Sequence, residues 1–153
     1  MSEVNTKFVG VFPVYDITFE IDTSGGAETP VWVTVADMES AGLSIDTTVE
    51  TWNSLTEGGW QRALATAKAF TLSMSGKRSI GDAGNDYVAG KTYANGRECD
   101  SKMRMTFPDG STFEGGVVIS VTENGGGDST NVAPLAFDLI SNGKPKYTPA
   151  TTA

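Results

Sequence analysis

A chain of 153 residues that is 39% hydrophobic and 20% charged has the size of one compact domain with its own core and little room for a second. Its net charge of -8, from 19 acidic and 11 basic residues, argues against a surface that grips nucleic-acid phosphates, which takes clustered Lys and Arg. The absence of histidine removes Ser-His-Asp and Cys-His catalysis and most zinc sites, and a single cysteine, Cys99, excludes a disulfide framework.

In chain order, the opening MSEVNTKFVG has no basic start followed by an apolar run, and no stretch of about 18 apolar residues occurs anywhere. A soluble chain made in a cytoplasm is expected, with no signal peptide or membrane span and with residues 1–13 as an N-terminal arm. Tyr15, Ile17, Phe19 and Ile21 then alternate with Asp16, Thr18, Glu20 and Asp22, as a strand with one buried face requires. Val31, Val33 and Val35 repeat the pattern more weakly, with Trp32 and Thr34 facing the other way. Leu43, Ile45, Thr47 and Val49 alternate with Ser44, Asp46, Thr48 and Glu50.

Residues 53–67, NSLTEGGWQRALATA, break the β rhythm. They read as a long loop ending in a helical turn, with Leu64 four residues after Trp60, and a long loop in a compact domain usually has a function. Strand alternation returns at Phe70, Leu72 and Met74. Residues 82–93 read as a short helix, capped by Asp82 or Asn85, ended by Asn95-Gly96 and weakened by Gly90. Cys99 shares the parity of the next strand's buried face, which makes it a core residue.

Met103, Met105 and Phe107 begin a hairpin over residues 102–122, turned by Pro108-Asp109-Gly110-Ser111, where Pro fixes φ and Gly supplies a positive one. Its second strand points Phe113, Val117, Ile119 and Val121 one way, and Gly115-Gly116 predicts a bulge within it. A Gly-rich loop, residues 123–131, leads to the strand of Leu135, Phe137 and Leu139. From Asn142 onward the chain is rich in Pro, Thr and Ala and is expected to trail as a C-terminal tail over about residues 143–153.

Enzyme-like motifs do not survive inspection. GNDYVAGKT, residues 84–92, ends like a phosphate-binding loop, but five residues separate its glycines instead of four, no hydrophobic strand precedes it, and Asp86 would sit where phosphate must go. Asp82, Asn85 and Asp86 lack the spacing of the best-known calcium loop. The carboxylate pairs Asp46/Glu50 and Asp16/Glu20 would stand about 13 Å apart along a strand, too far for either glycosidase geometry. The Gly-rich loop has no following helix to aim backbone N–H groups at an anion. No catalytic residue, cofactor or metal is therefore expected, and the chain reads as a non-enzyme.

Trp32, Trp52 and Trp60 admit two readings, since exposed rings on a β-sandwich can stack on sugars and can equally anchor a protein interface. A carbohydrate-binding module is thus the rival to a self-assembling structural protein.

Ile45-Asp46-Thr47-Thr48, the loop carrying Gly59-Trp60 and Leu64, and Lys68 through Gly76 follow one another in an order that resembles the major tail, or tail tube, proteins of long-tailed bacteriophages. The region near Asp86, the Pro108-Asp109-Gly110 hairpin, the strand ending at Val117–Val121, the Gly-rich loop and the closing segment from Leu135 to Pro145 continue that order. The resemblance covers about residues 30–145 and implies an antiparallel β-sandwich or barrel-like domain with one short flanking helix and a long loop. It implies a virion protein, assembled in the host cytoplasm, whose hexameric rings stack into the tube for genome ejection, with DNA sliding through without specific binding. Its implied partners are itself, a tape measure protein, a tail terminator and baseplate or tail-tip proteins. The long loop is expected to make the contact between rings or subunits through Trp52, Leu55, Trp60 and Leu64. Asp46, Thr48 and Glu50 are the lumen-facing candidates, because an acidic lumen would not hold DNA. On this reading GNDYVAGKT is a helix that covers either its own core or a neighbouring subunit.

Overall fold

The computed structural model describes residues 9–25 and 28–150. Among them, hydrophobic alternation becomes eight strands: β1 (Thr18–Asp22), β2 (Trp32–Thr34), β3 (Met38–Asn53), β4 (Gln61–Lys77), β5 (Asp100–Thr106), β6 (Thr112–Asn124), β7 (Pro134–Ser141) and β8 (Lys146–Thr148). One α-helix, α1 (Ala83–Ala89), interrupts them. All pairings are antiparallel, in the order β2-β1-β5-β6-β7-β4-β3, and β8 pairs with β6. The sheet is curled, because Phe19 and Ile21 of β1 line the same internal space as Leu72 and Met74 of β4 and Phe137 and Leu139 of β7, although β1 and β4 are not neighbours in the sheet. A mainly β, antiparallel, barrel-like fold with one short helix is therefore what the chain adopts.

The core follows strand parity. Met103 and Met105 of β5, Val117 and Ile119 of β6, and Leu135, Phe137 and Leu139 of β7 are all buried, with Ser101 at the end of the same face. Each large apolar side chain so enclosed contributes on the order of 1.5–3 kcal/mol. Cys99 is buried at the end of the 3-10 turn that leads into β5, as its parity predicts.

Helix α1 is seated by polar groups as well as by apolar ones. Asp82 is its N-cap, its carboxylate accepting from Asn85 N at 3.0 Å and also from Ala36 N at 3.1 Å. Asn85 is instead fully buried and uses both ends of its amide: Oδ1 accepts from Arg78 Nη1 and Ser79 N, and Nδ2 donates to the carbonyls of Ala36 and Lys77. Gly84 lets the helix approach β2, since a Cβ there would collide with the Thr34 carbonyl. Val88 and Ala89 join the core cluster.

Several expectations are corrected. The first strand starts at Thr18, because Val14–Asp16 form a 3-10 turn after Pro13. Helix α1 ends with Gly90 as its C-cap, and Asn95-Gly96 opens the 3-10 turn Gly96–Cys99. Gly115 and Gly116 carry no bulge; they pair in register with Met103 and Lys102. They are glycines because the chain after β7 crosses over them, where a Cβ would lie 3.1 Å from Pro145 and 2.9 Å from the Asn142 carbonyl. That crossing segment leads directly into β8, so residues 146–148 of the expected tail pair with Thr112–Glu114 of β6 rather than trail. Of the N-terminal arm, residues 9–13 have no regular structure, and residues 1–8 lie outside the described residues.

Candidate assembly surface

The segment read as a long loop is the outer half of a β-hairpin. β3 and β4 pair from Met38↔Gly76 to Asn53↔Gln61, with one register shift between Met38 and Ser40 and another between Thr48 and Val49 that leaves Thr66 as the extra residue of β4. Residues 61–67 are strand, so Trp60 and Leu64 do not share a helix face. β4 meets its other neighbour, β7, only over Thr71–Lys77. From residue 44 of β3 to residue 69 of β4 the ribbon therefore has no further strand beside it among the described residues, and nearly every residue in it is exposed. The ten residues from Ser44 to Asn53 extend it by about 33 Å at the usual strand rise.

Seven residues, 54–60, close the ribbon, and the closure is ordered. Leu55–Glu57 make one 3-10 turn, with Ser54 as N-cap accepting from Thr56 N. Asn53 Nδ2 donates to the Gly59 carbonyl at 2.7 Å, and Trp60 N donates to the Glu57 carbonyl at 3.1 Å. Gly58 and Gly59 both take positive φ, which turns the chain back at no steric cost. Leu55 and Trp60, 101% and 79% exposed, stand at this tip. Trp60 thus does not cover the core of its own subunit.

Two of the contact candidates, Trp52 and Leu64, share a face with the lumen candidates. Along β3, strand alternation puts Asp46, Thr48, Glu50 and Trp52 on one side of the ribbon. Leu64, directly opposite Glu50, points the same way, and Arg62, opposite Trp52, lays its guanidinium 5.7 Å from the indole centre. The other side carries Ile45 and Val49, which alternation alone assigns to a buried face; both are half exposed, because no further strand of the described residues lies beside the ribbon there. That pair is the part of the surface that sequence reasoning misses. The available signal is that the apolar alternation runs on for more residues than a strand in so small a barrel can bury.

The third tryptophan, Trp32, is not a bare ring. Trp32 is partly buried on β2, with the Arg104 guanidinium 4.6 Å from its ring centre, and Arg104 in turn donates to Glu20 at 2.9 Å. Two aspartates have carboxyls held below the usual value by local donors. For Asp86 the main cause is the hydrogen bond from Arg78, assisted by Gly81 N and opposed by partial desolvation. For Asp109 it is the Ser111 hydroxyl, assisted by Ser111 N. Both brace backbone turns. The segment GNDYVAGKT is accounted for: its Val88 and Ala89 cover the subunit's own core.

Comparison with known proteins agrees with this architecture. No curated protein matches the chain. Among solved structures, the tail of an empty GTA particle, refined helically with C6 symmetry, superposes with a TM-score of 0.71 at 17% identity, over 91% of this chain and 100% of that one. The virion of a native gene transfer agent particle gives a TM-score of 0.69 at 16% identity, with the same coverage of both chains. The family profile described as phage tail tube protein matches residues 15–147. A match over that span, on a barrel that carries a projecting apolar-tipped hairpin, places the chain in the phage tail tube protein family.

Proposed function

We propose that this tail tube protein assembles into hexameric rings that stack into the tube through which the genome is ejected. The observation that carries the reading is the outer half of the β3–β4 hairpin, an ordered ribbon with apolar residues on its faces and tip that stay exposed among the described residues. Burying such a surface takes another molecule, and in a tail tube family the economical partner is another copy. The outer edge of β3 lacks a strand partner among the described residues, which also suits pairing between subunits within a ring.

Trp52, Leu55, Trp60 and Leu64 make the contacts between subunits or rings. Asp46, Thr48 and Glu50 keep their candidacy for the lumen, where negative charge would let DNA pass without adhering. Because Trp52 and Leu64 share their face, the inner part of that face lines the channel and the outer part meets the neighbour. The C6 symmetry belongs to the similar GTA tail, and it supports a ring of six here. The protein's place is the virion tail, reached by assembly in the host cytoplasm. Its further partners are a tape measure protein, a tail terminator and baseplate or tail-tip proteins, and it performs no catalysis.

Negative-stain electron microscopy of the purified full chain tests this. Rings or tubes on the order of 90 Å across, the scale of six closely paired sheets, are the expected result. A chain that stays monomeric at every concentration and binds a glycan array would overturn it in favour of a carbohydrate-binding module.

A further inference from the structure

The root of the hairpin carries a notch that matches its tip. Ile45, Phe70, Phe113 and Pro145 line an open depression of about 530 Å3 where the ribbon leaves the barrel, and Lys68 and Lys144 stand on its rim. Phe70 and Phe113 meet edge to face at 5.1 Å and form an apolar floor. Both lysines are exposed, and neither takes part in an ion pair among the described residues. In a chain of net charge -8, two lysines beside an aromatic floor, with Lys68 Nζ donating only to the Thr47 hydroxyl at 3.5 Å, are a local exception to the prevailing sign.

The tip presents the complement. Leu55 and Trp60 are exposed, and Glu57 lies between them in the 3-10 turn, also exposed and without an ion-pair partner among the described residues. The capping and backbone hydrogen bonds described above hold this knob in shape before it meets anything, so little ordering entropy is lost on docking. It cannot fold back on its own notch, because about 33 Å of paired strand separates the two.

We propose that the notch of one copy receives the hairpin tip of a second copy, with Leu55 and Trp60 against Phe70 and Phe113 and with Glu57 between Lys68 and Lys144. This deepens the tube reading and rests on it. Every copy then has one tip and one notch, so the contact is heterologous and propagates from copy to copy. Charge decides register and partner choice, while the apolar contact supplies most of the affinity.

Two measurements on the full chain test it, a cross-link in a Cys99→Ser background and a set of charge reversals. A chain carrying Leu55→Cys, mixed with one carrying Ala69→Cys at the notch, is expected to give a disulfide-linked heterodimer under assembly conditions. Glu57→Lys and the double variant Lys68→Glu/Lys144→Glu are each expected to lower the polymerised fraction on the order of tenfold, and mixing or combining them to restore it. Circular dichroism and thermal melting should match wild type, since all three side chains are exposed. Tubes that form normally without the cross-link, or that ignore the charge reversals, overturn the docking contact and leave the tube reading standing. Absence of both polymer and cross-link from every chain, wild type included, overturns both.

Discussion

β3 and β4 each pass through two environments, and the contrast between them explains much of the molecule. In the inner half, Leu72 and Met74 are buried, and β4 is flanked by both β3 and β7. In the outer half the same strands go on pairing with each other across one bulge at Thr66, but nearly every described residue there is exposed. An isolated two-stranded ribbon is marginal in water, so the outer half borrows its order from the barrel at one end and from the hydrogen-bonded turn at the other. The inner half belongs to the core on which folding depends, and the outer half is the part that the proposed assembly assigns to contact with another copy.

Substitutions can break that division. The largest expected effect on folding is at Phe137, which is 1% exposed in the core. Phe137→Ala should cost about 3–5 kcal/mol and lower Tm on the order of 10 °C, measured by calorimetry. Next is Asn85→Ala, which takes the amide donor from the part-buried carbonyls of Ala36 and Lys77 and removes the acceptor of Arg78 and Ser79 N. A loss of about 1–3 kcal/mol by chemical denaturation is expected, from groups left unsatisfied rather than from lost apolar contact.

Trp60→Ala should behave in the opposite way. Stability should stay within about 0.5 kcal/mol of wild type, because the ring touches no core, while electron microscopy should show folded monomers in place of tubes. Normal tubes from that variant would remove Trp60 from the assembly surface. A Trp60 variant that melts well below wild type would show instead that the tip helps hold the barrel, and the division of labour would fail.

The smallest effect concerns pH. Arg78 holds the Asp86 carboxyl below its ordinary 3.8, so the folded state binds this proton less readily than the unfolded chain. The contribution is complete at neutral pH and is lost as the pH falls below the ordinary value and through the depressed one. Asp86→Asn should therefore lower Tm at pH 7 and approach wild type at strongly acid pH. A constant difference across that range would show that the side chain acts by shape and not by charge.

Much of the wrapped half was legible in the sequence. The hairpin of β5 and β6 follows from Pro108-Asp109-Gly110-Ser111 and from alternation on both sides, and the buried positions of β7 follow from parity alone. The ribbon was legible in part. Asp46, Thr48 and Glu50 do form one regular face of a strand, and Trp52, Leu55, Trp60 and Leu64 are all exposed on the outer hairpin. Residues 61–67 misled because alanines at 63, 65 and 67 suppress the apolar contrast that marks a strand, while Leu64 after Trp60 imitates helical spacing. Gly115-Gly116 misled for another reason: a glycine required by a chain crossing above it looks the same as one required by a bulge.

By itself, the sequence determined what depends on near neighbours: the strand parity, the Pro-Gly turn, a helix capped near Asp82, the absence of histidine chemistry and the acidic sign of the surface. Only the tertiary structure decided which apolar faces are covered. Ile45 and Leu72 sit on the same side of the same pair of strands, yet one is half exposed and the other buried. Alternation reports that a strand has two faces; what lies against each of them is set by where the rest of the chain ends up.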